Sequence, residues 1–528
     1  MTQKHFPKLH SPFIILFFLL LTIASAQWST NPGNPLTLGI GIAPQVQATA
    51  DGDVYIAWLT EPNYQVYLQH LNPDGEIMWE QNGKLISDFP NSSWIAVFHL
   101  NLAVDHDGNA IITTVDTRAG DWEVFVWKVA PDGTFLWNED GLQLSSSGTG
   151  NTAPRLTVLP DNSVVVTWNQ AFADIKMQRI SPEGELLWGD NGIQLSDPSG
   201  SLMTPLPMIT ADDLILVQWI KQSGGWPPIS ELTNQKFDFD GNAIWPSPLV
   251  VAGPVSFPMG NWSQKTVADN SGGAFSSWTE MSGTAQSAKV RHITSDGQNG
   301  WAEIDLSTAS GNFRTNPKIV VSDDSQELMA VWTESDGGQS NHGISAQRLS
   351  QSGDRLWGNT GFPAVPLGPN NTFLDLSASG IDEDIIAVYI QQASFSNNDV
   401  FAFRLNASGE FTWDNQTYQL TISNNSKTDL TIVKGPGCNV AVWSEDGTIT
   451  AHCLRNDGTL GAPIIEENCL ADGDINFDGD LNILDIVSIV NFIIGNSTPT
   501  DDQVCAADIN EDGSIDILDI VQILNIIL

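Results

Sequence analysis

Two stretches near the C-terminus carry oxygen side chains at the spacing a hard cation needs. From Asp474 to Asp485 the chain reads DINFDGDLNILD, and from Asp508 to Asp519 it reads DINEDGSIDILD. Asp474, Asn476, Asp478, Asn482 and Asp485 fill the first, third, fifth, ninth and twelfth places of one loop, and Asp508, Asn510, Asp512, Asp516 and Asp519 fill them in the other. Gly479 and Gly513 supply the sharp turn at the sixth place, and the backbone carbonyls of Asp480 and Ser514 supply the seventh-place ligand. Such a layout of alternating hard oxygens is what Ca2+ takes, and Asp in place of the usual Glu at the last place can still close the cage. The duplication predicts two Ca2+ ions.

A second group of candidates lies upstream. Thr60, Asp116, Gln170, Lys221, Glu280, Glu334, Gln391 and Glu445 each stand two residues beyond a Trp, or its equivalent, in a recurring strand pattern. Equivalent positions of a closed repeat face one surface, so these form either the wet ends of strands or a polar rim for a ligand. Glu280 and Glu334, from neighbouring repeats, are the candidate catalytic carboxylates, because acid/base hydrolysis of glycosides needs two carboxyl groups about 5 to 10 Å apart. Other chemistries leave no trace. There is no Gly-x-Ser-x-Gly elbow, no phosphate loop and no His-Glu-x-x-His helix, and the eight histidines are scattered.

The elements that must position these residues are repeats. A turn Gly followed by Trp recurs from Gly75 and Trp79, through Trp137, Trp188, Trp245, Trp301 and Trp357, to Gly409 and Trp413, at intervals of 51 to 58 residues. Each unit holds short strand-patterned runs such as Val54 to Leu59 and Val66 to Leu71, with no helical period between them. Four short strands per unit predict propeller blades rather than βαβ units. The eighth unit reaches Asp457-Gly458 but continues Thr459-Leu460-Gly461 where Trp is due, and Trp28 to Leu38 reads like the missing piece. The chain is therefore expected to be mainly β, an eight-bladed propeller whose N-terminal strand closes the last blade, with seven blades as the alternative. The repeated tryptophans are expected to pack between blades, and the Asp-Gly pairs to make turns.

Charge and segment composition bound the partners. The net charge is -41, from 21 basic against 62 acidic residues, which disfavours nucleic acid and anionic membranes. Lys4 and Lys8, an apolar run from Phe13 to Ile23 and Ala24-Ser25-Ala26 have the layout of a secretory signal peptide, and no stretch of membrane-spanning length follows. The expected division is 1–26 signal peptide, 27–465 propeller and 466–528 a small calcium-binding domain. In an oxidising compartment the four cysteines are expected to pair. Cys438 and Cys453 flank a hairpin whose turn is expected at Glu445-Asp446 and are expected to bridge across it, and Cys469 and Cys505, each just before a calcium loop, are expected to bridge each other.

The duplicated C-terminal loops resemble a dockerin domain of type I, over about the last 60 residues. Each loop runs into one helix-like segment, Ile486 to Ile494 and Ile520 to Leu528, with no helix-forming stretch expected before the loop. The resemblance implies a small α-helical domain that docks to a cohesin-like partner and carries secreted cargo, commonly for polysaccharide breakdown. At the tenth and eleventh loop places, where that family puts partner-recognition residues, stand Ile483-Leu484 and Ile517-Leu518. They form either a two-fold docking face or the packing between halves. Two functions follow: a secreted, extracellular, cell-surface or periplasmic glycan-binding or structural propeller tethered by its dockerin, or a polysaccharide hydrolase or lyase carried on the propeller.

Overall fold

The computed structural model describes residues 28–89, 91, 100–146, 148–225, 228–255, 265–322, 327–394, 397–463, 473–476, 481–494, 496–497, 499, 501–510 and 514–527. The expected signal peptide, the 465/466 boundary, Cys469, Asp478, Asp480 and Asp512 lie outside them, as does the side chain of Cys505. The chain divides into two compact units, one ending at Ala462 and the other beginning at Pro463.

Among the described residues of the first unit, thirty-two strands form eight four-stranded antiparallel sheets. Seven sheets are built from consecutive strands. The eighth takes Lys427–Lys434, Cys438–Glu445 and Thr448–Arg455 from the end of the unit and adds Leu36–Ile40 from its start, paired antiparallel to the third of these. This is an eight-bladed β-propeller closed by its N-terminal strand. The second and third strands of a blade are the most deeply buried, as in Val54–Leu59, whose six residues are all buried. A strand covered on both faces reads as a continuous apolar run rather than an alternation.

One device repeats around the ring. Trp28, Trp79, Trp137, Trp188, Trp245, Trp301, Trp357 and Trp413 each donate the indole N–H to a backbone carbonyl in the turn of the next blade, at 2.8 to 3.0 Å. The turn glycine beside that carbonyl lies under the ring. At Gly75, with φ +80°, a Cβ would stand 2.7 Å from Trp28, and at Gly458, with φ +88°, 2.7 Å from Trp413. The Gly and the Trp of the motif therefore form one interlock between neighbouring blades. Trp28 performs it for the blade that lacks its own Trp, so the strand and the anchor that close the ring arrive together.

A second device lies five residues before the same glycines. His70, Lys128, Arg179, Lys236, His292, Arg348 and Arg404, on the third strands, each contact an acidic residue of their own blade: Asp53, Asp105, Asp161, Asp212, Asp269, Glu327 and Asp384. In the closing blade this place belongs to Cys453. Cys453 lies opposite Val440, three residues before Trp443, as Arg404 lies opposite Ile386, three before Tyr389. Its disulfide partner Cys438 stands five residues before Trp443, where Asp384 stands before Tyr389. The blade assembled from both ends of the unit thus has a covalent link where the sixth and seventh blades have an ion pair and the first a His–Asp contact.

The Cys438–Cys453 pairing is as expected, but the register is not. The turn residues are Asp446 and Gly447, both with positive φ, so Cys438 lies opposite Arg455 and the bridge runs diagonally, with the Cα atoms 5.8 Å apart. Placing the turn one residue early shifted the expected partners by two. Two successive positive-φ residues are what a tight hairpin turn demands, and Gly447 meets that demand better than Glu445.

Candidate functional site

In the C-terminal unit, helices α1 (Ile483–Ile493), α2 (Asp501–Ala507) and α3 (Ile517–Ile527) surround a small core of Ile475, Ile486, Ile489, Ala506, Ala507 and Ile523. Helix α2 corrects the expectation of no helix before a loop. Two further corrections concern α1 and α3, which begin three residues earlier than expected. Asn482, at the ninth loop place, is also the N-cap of α1: its side chain accepts the N–H of Leu484 at 2.9 Å while Asp485 accepts the N–H of Asn482 at 2.9 Å. Asp516 and Asp519 repeat the pair, accepting Leu518 N–H at 2.7 Å and Asp516 N–H at 2.8 Å. This reciprocal capping starts each helix at the tenth place.

The twelfth-place carboxylates close the loops. Asp485 also accepts the N–H groups of Ile475 and Asn476, at 3.0 and 3.2 Å, and Asp519 accepts that of Asn510 at 3.4 Å. Both Asp485 and Asp519 are 0% exposed, yet the chain from Pro463 onward contains no Lys, Arg or His. Buried charges are paired or coordinate metals. A buried carboxylate at each loop end, in a unit with no cationic side chain, fits a bound cation. Ile483, Leu484, Ile517 and Leu518 are 61%, 57%, 68% and 54% exposed. They do not pack the halves together; they project from the first turns of α1 and α3.

In the propeller the eight expected rim positions fall within three residues of the C-terminal ends of the second strands, four of them before the strand's last residue, and none is exposed. Most are held by neighbours. Asp116 pairs with Arg118 at 2.6 Å, Lys221 with Asp197 at 2.7 Å, and Gln391 donates to Asn371 at 3.0 Å. Glu445 accepts from Trp443 and Asn425. Glu280 pairs with Lys289 at 3.1 Å; burial opposes the charge on Lys289, but Glu303 and Glu280 outweigh it and hold its pKa above the ordinary lysine value. Glu334 is buried, with Arg314 at 3.3 Å, Asn312 donating at 2.9 Å and Ser345 at 2.6 Å.

Two rim positions border cavities. Glu334 lines one of about 240 Å³, with Gln286, Phe313, Thr315, Gln339, His342 and Phe373 drawn from the fifth to seventh blades. Its two phenylalanines and its hydroxyl, amide and imidazole groups suit a polyhydroxylated ligand the size of a sugar. Lys221 lines another, of about 410 Å³, between the third and fourth blades, beside Trp219, Glu231 and Gln235. The sequence marked the rim positions but neither cavity, because Phe313 and Phe373 come from first strands, which carry no Trp to align them.

Residues 472–528 match the family model described as a dockerin type I domain. The C-terminal unit is therefore a dockerin type I domain, a class that binds calcium and docks to cohesins. No curated protein sequence matches the chain. Among solved structures, the chain is similar to an ulvan lyase of polysaccharide lyase family PL25 bound to -[GlcA(1-4)Rha3S]-, at 10% identity and a TM-score of 0.44, over 82% of this chain and 96% of that one. It is also similar to the GH93 α-L-arabinofuranosidase of Fusarium graminearum (9%, TM-score 0.35, 58% of this chain and 93% of that one). A third is an α-L-arabinanase of Penicillium chrysogenum (13%, TM-score 0.34, 60% and 98%). At these scores none of them says what this chain does.

Proposed function

We propose that the protein is a secreted, cell-surface-directed carbohydrate-binding propeller that docks to a cohesin through its C-terminal domain. Asp474, Asn476, Asp478, Asp480, Asn482 and Asp485 would hold one Ca2+, and Asp508, Asn510, Asp512, Ser514, Asp516 and Asp519 a second. Bound calcium would neutralise the carboxylates and hold the loops, so that the exposed first turns of α1 and α3 stand at fixed positions. The observation that carries the reading is the exposure of Ile483, Leu484, Ile517 and Leu518 at the same place in both halves. Apolar residues left open in this way mark interaction sites. Because the halves are equivalent, changing either pair to Asp should leave much of the affinity for a cohesin, and changing both should abolish it with calcium still bound. Calorimetry on the calcium-loaded chain measures this; undiminished binding by the double variant refutes the docking face.

For the propeller, the cavity beside Glu334 supports binding of a neutral sugar. The second reading, a hydrolase or lyase, is favoured by the presence of His342 with Glu334 in that same cavity. Glycan-array binding and reducing-sugar release, each with Glu280→Gln and Glu334→Gln, separate the two. Binding without release supports the first. Release that disappears with Glu334→Gln supports the second.

A further inference from the structure

The innermost strands of the propeller, taken together, carry a feature that neither site uses. Register places Gln45, Asn101, Arg155, Leu206, Lys265, Lys318, Ser377 and Thr431 at one level, each opposite the residue just before the second-strand aromatic position. All eight are half-buried, and the residue after each is buried. The ring therefore lies on the open side of the inner strands, where they border the central channel. Three of its members are cationic and none is acidic, in a chain with three times as many acidic as basic residues.

Elsewhere in the propeller buried cations sit against carboxylates, as Lys128 does with Asp105 at 2.9 Å and Lys236 with Asp212 at 2.5 Å. The ammonium groups of Lys265 and Lys318 have no ion pair or hydrogen bond to any described residue, although they come from adjacent blades. Burial, and for Lys265 the charge of Lys318, lowers their pKa values. Asp375, whose charge acts on Lys318, turns its oxygens to the backbone N–H groups of Leu376 at 2.8 Å and Leu430 at 2.9 Å. Arg155 donates to the Pro154 carbonyl at 2.8 Å. Two half-buried like charges from adjacent blades, with the one carboxylate that acts on Lys318 hydrogen-bonded to backbone, form no ion pair with any described residue.

We propose that this ring binds an oxyanion within the channel, set against Lys265, Lys318 and Arg155. The oxyanion is either a free inorganic ion or the carboxylate of an acidic sugar, since both present planar or tetrahedral oxygens to clustered donors. The site is separate from the rim cavity, and its failure would leave the reading of that cavity untouched.

Titration calorimetry of the full calcium-loaded chain tests it, with sodium sulfate and with glucuronate, each against sodium chloride at matched ionic strength. Sulfate is expected to bind saturably, and Lys265→Met with Lys318→Met to weaken it at least about tenfold, the loss of charge-assisted hydrogen bonds. Competition by glucuronate supports the sugar-borne form, and its absence supports the inorganic one. A response to sulfate no different from chloride, or unchanged in the double variant, overturns the site. If the double variant does not fold, acetylation of the unaltered protein mapped by mass spectrometry decides: sulfate should slow modification of Lys265 and Lys318 severalfold while sparing Lys84. Equal rates at all three overturn the proposal.

Discussion

The propeller and the dockerin domain treat charge in opposite ways. In seven blades an acidic residue near the first turn has a His, Lys or Arg of the same blade against it, and in the eighth a disulfide occupies the equivalent place. From Asp472 onward the chain carries a dozen acidic residues and no basic one, with Asp485 and Asp519 wholly buried. One region carries a partner for each of its first-turn acids. The other has none of its own, so its folding is expected to be tied to a bound cation while that of the propeller is not.

The largest test of that contrast is chelation. Removing calcium from the whole protein is expected to abolish the helical signal of α1 to α3 and to leave the β signal and the main melting transition in place. A ligand that binds only the folded form stabilises it by RT ln(1 + [L]/Kd), about 4 kcal/mol when its concentration is a thousand times Kd. That is comparable to everything a core of six buried residues can offer. Asp485→Ala combined with Asp519→Ala should reproduce the effect of the chelator. Circular dichroism and calorimetry with and without chelator measure it, and equal helicity in both conditions breaks the contrast.

The next test concerns the covalent link in the closing blade. Cys438→Ala with Cys453→Ala opens a 15-residue loop and is expected to cost about 3 kcal/mol of propeller stability. Calcium affinity and the melting of the dockerin domain should be unchanged. If the bridge stands in for the ion pair of the other blades, Cys438→Asp with Cys453→Arg should regain part of the loss, as Asp384 and Arg404 make that pair at 2.7 Å in the neighbouring blade. Thermal unfolding of the three proteins decides it. A charged pair no better than the Ala pair shows that the equivalence is geometric only.

The same two regions show what could be read before the structure. The blade count and the closure were legible because the Gly–Trp interlock is a local spacing that recurs, and its absence after Gly458 pointed back to Trp28. The dockerin domain was legible for the same reason, through the spacing of its two duplicated loops. Asn482 and Asp516 were read as ligands alone, which hid their role as caps and put α1 and α3 three residues late. Helix α2 was missed although Pro499 precedes it and Asp501 and Asp502 open it, both signals of a helix start. Five first strands were harder to recognise, because each has a positive-φ residue at a bulge, Ala43, Ala153, Thr204, Asn316 or Asp429. Four of these stand before a proline, which an edge strand tolerates because its free side needs no donor. The channel ring was invisible, since its members become neighbours only through the register of eight separate strand pairs.

The smallest effect expected concerns acid, and it again separates the two regions. His452 is fully buried in the closing blade, and burial pushes its pKa down to about 4, against weaker upward pulls from the Pro32 backbone and Glu445. In the unfolded chain it titrates near 6.5. A folded pKa below the unfolded one means that the unfolded chain binds the proton first. The stability due to neutral His452 is therefore complete above pH 6.5 and is lost as the pH falls from there to about 4, by about 3 kcal/mol at most. Below that range it stays lost. His452→Leu should flatten this part of the pH dependence of the main melting transition, with near-wild-type stability at pH 5. The dockerin domain, which has no histidine, should lose stability in acid only through its carboxylates and at lower pH. Melting temperatures of both proteins between pH 7.5 and 4 check the sign: an equal decline in each shows that the acid-sensitive group lies elsewhere in the propeller.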